Sequence, residues 1–185
     1  MILTDREIHL AILKKQIIID PSPEEVAFSS TSLDLRLDEN LRVFQEERLP
    51  SIRMMIDPSD PAHRINEVLR GLTSNVVIDA QDGYTLAPQK LVLGWTKEYV
   101  RLPDESRVAA RVEGKSSLAR LGLCVHMTAP TIHAGFKGNI QLEIVNFGPL
   151  PIILKPGLRV CQLIFETTLG TPAKGYGGQF AGQTS

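Results

Sequence analysis

Residues 75–113 read NVVIDAQDGYTLAPQKLVLGWTKEYVRLPDESRVAARVE, and this stretch decides the fold. Short runs rich in β-branched and aromatic residues (Asn75–Asp79, Tyr84–Leu86, Leu91–Trp95, Glu98–Arg101 and Val108–Glu113) are separated by turn signals such as Asp82-Gly83. The rhythm continues downstream through Leu123–Met127, Asn139–Asn146, Ile152–Leu154 and Arg159–Phe165, with Gly148-Pro149 and Pro156-Gly157 between runs. Many short strands with few helices predict an all-β barrel or sandwich and argue against an alternating parallel α/β sheet.

Upstream, Ser32–Leu37 (SLDLRL) alternates, with Leu33, Leu35 and Leu37 on one face and Asp34 and Arg36 on the other. The polar pair reads as a solvated strand edge or as part of a site. Thr4 to Lys15 is predicted to be a short helix: Thr4 and Glu7 fit a capping box, and Ile8, Ala11, Ile12 and Leu13 form an apolar stripe. Ile17–Ile19 is a brief apolar run stopped by Pro21 and Pro23. Residues 48–75, rich in Pro, Asp, Ser and Arg, read as an excursion with a helical turn near His63–Leu72. The chain ends in the glycine-rich TPAKGYGGQFAGQTS, which is either a frayed terminus or a lid that orders over a ligand.

The 185 residues suit one domain, 1–185, with a real core. Hydrophobic residues at 43% and charged residues at 22% are ordinary for a globular protein. A net charge of −1 gives no basic field for nucleic acid, so local clusters must carry any phosphate binding. No run approaches the ~18 apolar residues of a membrane span. The opening MILTDREIHL lacks a basic region followed by an apolar core, so no signal peptide is expected. Two cysteines, Cys124 and Cys161, are too few for a disulfide framework, and a cytoplasmic protein with reduced thiols is expected.

Two stretches offer chemistry. Gly114-Lys115-Ser116-Ser117, followed by Arg120, is a cationic, hydroxyl-rich turn suited to a phosphate chain. It is not a Walker A loop, because Ala109 stands where that motif needs glycine. Its plainer reading is a polar turn entering a helical segment, Ser117–Leu121. In Ile140-Gln141-Leu142-Glu143-Ile144, alternation sets Gln141 and Glu143 opposite the apolar face. Glu143 is then either a surface carboxylate or a partly desolvated general base. Cys124, His126, His133 and Cys161 match no strong zinc spacing, and no G-x-S-x-G nucleophile elbow is present. His133 sits in a turn from which it could face a ligand.

These residues resemble a known family. The runs Gly114–Leu123 (GKSSLARLGL), Val125–Ala129 (VHMTA) and Gly135–Glu143 (GFKGNIQLE) are similar to the core of dCTP deaminases, in the trimeric dUTPase superfamily. The likeness extends to Ser32–Arg36, to Pro156-Gly157 with Gln162-Leu163, and to the tail; it leaves out roughly residues 48–75. It implies a distorted jelly-roll or β-barrel of the dUTPase-like type, forming a homotrimer with active sites between subunits. It implies zinc-independent hydrolytic deamination of dCTP to dUTP and ammonia, with magnesium bound through the triphosphate. Glu143 takes the position of the catalytic glutamate, and Ser116 helps place the attacking water. Lys115, Ser116, Ser117 and Arg120 match the phosphate-binding motif, Ala129 lines the base pocket, and Gln141, Leu142 and Gln162 fall at substrate contacts. Tyr176, Gln179 and Gln183 fall on tail contacts, which makes residues 170–185 a lid; Gln179 replaces a common Lys, and Phe180 a common Tyr. Thr131 and His133 depart from the family pattern, where many members have Arg and Asp. Asp at position 133 serves phosphate cleavage in dUTPases and bifunctional enzymes, while an imidazole can still bond a sugar hydroxyl. The rival readings are a dUTP diphosphatase or bifunctional enzyme giving dUMP and pyrophosphate, and a non-catalytic nucleotide-binding regulator.

Overall fold

The computed structural model describes residues 1–45, 47, 55–60, 65–128 and 131–173. The chain begins with α1 (Asp5–Leu13), closed by the expected capping box between Thr4 and Glu7. Ile8 and Ala11 enter the core, but Leu13 is 79% exposed. At about 100° per residue it lies about 140° round the helix from Ile8, outside the stripe the spacing suggested.

The strands are β1 (Ile18–Asp20), β2 (Phe28–Ser29), β3 (Ser32–Phe44), β4 (Thr73–Val77), β5 (Tyr84–Leu86), β6 (Leu91–Arg101), β7 (Val108–Gly114), β8 (Leu123–Cys124), β9 (Lys137–Asn146), β10 (Ile152–Leu154) and β11 (Arg159–Thr167). Two further short helices, α2 (Ile65–Leu72) and α3 (Ser116–Ala119), and two 3-10 turns, Glu25–Ala27 and Asp104–Ser106, complete the described elements. The main sheet runs β7-β11-β3-β6-β9-β8, with β1 added to β6 and β2 and β4 to β3. β5 and β10 form a separate antiparallel pair. All described pairings are antiparallel, as short strands joined by turns require. The expected mainly β architecture, with one short N-terminal helix, is therefore present.

Two strands are longer than their patterns predicted. β3 does not stop at Leu37: a register irregularity between Leu37 and Leu41 absorbs the polar Asp38-Glu39-Asn40. Its first half pairs with β11 and its second half with β6 and β4, so one strand turns the corner between two sheet regions. β6 joins two runs that looked separate. Its irregularity lies between Trp95 and Tyr99, where the Thr96 hydroxyl donates to the Glu98 carbonyl at 2.9 Å and accepts from Ile140 N–H at 2.9 Å. In the other direction, the run expected at Leu123–Met127 keeps strand pairing only over Leu123–Cys124.

Leu33, Leu35 and Leu37 are fully buried beside Leu142, Ile144, Leu163 and Phe165, so the alternating faces of β3, β9 and β11 meet in one core. β7 and β8 end the sheet path on opposite sides, and the α3 turn links them along the chain. That link depends on close backbone packing. Gly122 has φ +94°, and a Cβ there would lie 2.2 Å from Gly148 N. Phe147 N–H donates to Gly122 O at 2.8 Å, which locks the turn to the end of β9. Gly122→Ala is expected to lower stability by at least about 2 kcal/mol in urea unfolding, because backbone must move and an alanine is strained at that φ. Gly71→Ala, in open space on α2, should not destabilise at all.

Candidate active site

Glu143 sits on β9 with the orientation its alternation predicts. Ile140, Leu142 and Ile144 are buried, and Gln141 and Glu143 project half-buried from the other face. The Glu143 side chain keeps 32% exposure. Its Oε2 is fully buried and accepts no hydrogen bond among the described residues. His126 Nδ1 lies 3.7 Å from that oxygen, within ion-pair range but longer than a hydrogen bond. The exposure therefore falls on the rest of the side chain, leaving one side of the carboxyl against an imidazole and the other open to a ligand.

His126 also lines a cleft of about 370 Å³ formed by Gly114, Ser116, Ala119, Gly122–Val125 and Phe147. The α3 turn thus brings Ser116 to the cleft that His126 also lines, and His126 in turn neighbours Glu143. Ser117 and Arg120 are exposed on the same turn, and Arg120 makes no ion pair with the described residues.

Lys115 turns the other way. Its ammonium is ion-paired and hydrogen-bonded to Asp34 Oδ2 on β3, with side-chain exposures of 26% and 9%. Gln162 on β11 is the register partner of Asp34, and its Oε1 accepts from Ser32 Oγ at 2.9 Å. The predicted phosphate residues therefore divide between Ser116 in the cleft, Ser117 and Arg120 exposed on its turn, and Lys115 paired with Asp34, next to the expected substrate contact Gln162.

The reading of Asp34 and Arg36 as a solvated strand edge is corrected. Asp34 is buried against Lys115, and Arg36 donates from both N–H and Nε to Glu98, whose side chain is 4% exposed. Alternation gave the shared face but not the distant partners that cover it. Removing the cation from such a largely buried pair strands a desolvated carboxylate and lowers stability.

His133 is exposed in the turn before β9, where its carbonyl accepts from Phe136 N–H. The Leu142 side chain lies in the core, so only its main chain is available to a ligand. Ala129, Tyr176, Gln179 and Gln183 lie outside the described residues, as does most of the expected lid at 170–185. Sequence reasoning weighed His126 as a metal ligand and missed it as the neighbour of Glu143. No pattern signal links the two, because a turn and half of β9 separate them.

Fold and site together define an antiparallel β protein with a carboxylate–imidazole couple beside a hydroxyl-bearing, cationic turn. The chain belongs to the dCTP deaminase-like family, whose model matches residues 2–168. It is 38% identical, over 99% of its length and 90% of the relative's, to the dUMP-forming dCTP deaminase of Methanosphaera stadtmanae. It is 39% identical, over 95% of its length and 87% of the relative's, to the dCTP deaminase of Rhodospirillum rubrum. Among solved structures it resembles the 2′-deoxycytidine 5′-triphosphate deaminase of Agrobacterium tumefaciens (TM-score 0.65, 26% identity). That match covers 90% of this chain and 48% of the other. The dUTPase-like fold class expected from the sequence agrees with this likeness.

The fully buried Cys161 lies near the Lys115–Asp34 pair. Burial, reinforced by the nearby carboxylates of Glu98 and Asp34, pushes its thiol far above the ordinary range. Thiolate is the reactive form, so iodoacetamide should leave Cys161 unmodified in the folded protein at pH 8 and label it only after unfolding. Mass spectrometry checks this, and equal labelling in both states would contradict the placement.

Proposed function

We propose that this protein is a dCTP deaminase that hydrolyses dCTP to dUTP and ammonia. The observation that carries the reading is the half-buried Glu143 carboxylate, with one oxygen unpartnered beside His126, which itself lines the cleft that holds Ser116. The family membership and the names of the relatives support the choice of substrate.

In this reading the triphosphate lies toward Lys115, Ser117 and Arg120, and the cytosine ring enters beside Glu143, near Gln141 and the main chain of Leu142. Gln162 and His133 contribute substrate contacts. Water held by Ser116 attacks C4 as Glu143 accepts one of its protons. The C4–O bond forms and C4 becomes tetrahedral. Glu143 then passes a proton to the amine, the water's other proton ends on N3, and the C4–N4 bond breaks. Ammonia leaves and the uracil carbonyl remains, so one water is consumed for each amine released.

The resemblance, rather than any described residue, is what suggests that Tyr176, Gln179 and Gln183 contact the nucleotide. Magnesium would arrive on the triphosphate, with phosphate oxygens and water as its ligands. No step of the deamination is assigned to it. The working unit is a homotrimer with sites between subunits; exposed Leu121, Met127, Phe147 and Leu150 around the cleft fit burial against a second copy. A cytoplasmic setting agrees with the two free cysteines, and no helix among the described residues is long and apolar enough to cross a membrane.

The dUMP-forming relatives give a second reading, in which the same protein also cleaves the triphosphate. His133 in place of a carboxylate favours the monofunctional enzyme. Incubation with dCTP and magnesium should accumulate dUTP and ammonia; dUMP and pyrophosphate as the first products would establish the bifunctional reading. Glu143→Gln should lower kcat by at least about 10³-fold, about 4 kcal/mol, while dCTP still binds. Retained turnover would remove Glu143 from its role.

A further inference from the structure

We infer that Asp34 is a positioning residue for the phosphate end of the site: it holds Lys115 in a fixed place, so that the nucleotide comes to the ammonium rather than the ammonium swinging out to the nucleotide. This inference rests on the proposed deaminase reading. The Asp34 side chain is 9% exposed, and its Oδ2 is paired with Lys115. The other oxygen, Oδ1, is buried and unpartnered among the described residues. Lys115 is therefore the whole of the carboxylate's described compensation.

The neighbouring charges are already engaged. Glu98 is held by Arg36, and Glu24 receives Arg36 and Arg159. Across β11, Asp34 faces Gln162, which accepts from the Ser32 hydroxyl. Arg36 and Arg159 line the same small pocket as Asp34, but they are paired with Glu98 and Glu24 rather than with it.

The balance of effects fixes the direction. If Lys115 left for a solvent-exposed phosphate, a buried carboxylate would be stranded, and that cost exceeds what one exposed ion pair returns. An ammonium has three donors, so pairing with Asp34 leaves others free for phosphate without breaking the contact. Lys115 begins directly beyond Gly114, whose register partner on β11 is Cys161, so the pair ties the end of β7 across β11 to β3. Arg120, exposed and without a described ion pair, is by contrast free to follow the ligand.

The test is calorimetric binding in a Glu143→Gln background, which removes turnover. Asp34→Asn and Lys115→Gln should each weaken dCTP binding by about 10-fold, and the double variant by about 10-fold as well rather than 100-fold, because both changes remove one unit. Deoxycytidine, which lacks phosphates, should bind all four proteins equally; a merely structural role would weaken both ligands together. Multiplying effects, or unchanged dCTP binding in Asp34→Asn, would overturn the inference. Absence of dCTP binding by the background protein itself would sink the deaminase reading and this one with it. A second measurement uses the unaltered protein. In brief acetylation read by mass spectrometry, Lys115 should react at least 5-fold more slowly than Lys14 and Lys137, and equal rates would refute its tethering.

Discussion

The contact between Gly122 and the Phe147–Gly148 backbone is the constraint on which the site depends. The turn after β7 carries Ser116, Ser117 and Arg120, and β9 carries Glu143. The turn is fixed to the end of β9 because the chain backbone at Gly122 and Gly148 approaches more closely than any side chain would permit. A hydroxyl-rich turn and a strand carboxylate are ordinary by themselves. His126 links them: it lines the cleft that holds Ser116 and lies 3.7 Å from the Glu143 carboxyl.

The second organising feature is the way β3 divides its partners. Its first half lies on β11 and its second on β6 and β4, so the polar face of Ser32–Arg36 is roofed by residues far along the chain. That roof converts Asp34 and Arg36 from strand-edge charges into buried pairs with Lys115 and Glu98. Buried pairs contribute little net stability, but they hold side chains in one place, and a phosphate site needs that more than it needs extra charge.

Local chemistry was legible in the sequence. The Thr4–Glu7 capping box, the alternation of Ile140–Ile144 that aims Glu143, and the turn signals between strands all have short-range causes. What was illegible depends on partners distant in the chain. Asp34 and Lys115 are 81 residues apart, and Arg36 and Glu98 are 62 apart, so periodicity could give their faces but not their company. The same blindness split β6 in two: Thr96 and Lys97 interrupt the apolar pattern, yet the buried Thr96 hydroxyl donates to Glu98 O and accepts from Ile140 N–H, and the strand runs on. His126 was visible as a residue type, but its place beside Glu143 follows from the path of the turn, which no local pattern encodes. The functional assignment was legible earliest, because long matched runs carry more information than any single contact.

The central claim is that the open side of the Glu143 carboxyl faces the reacting carbon of a cytosine ring. The most direct test is a crystal structure of the Glu143→Gln protein with dCTP and magnesium. The account predicts that the side-chain amide of residue 143 lies within hydrogen-bonding reach of the exocyclic amine or of a water poised at C4, about 3 Å away, with Ser116 on the same water. A base bound elsewhere, with residue 143 separated from it by bulk water, would contradict it.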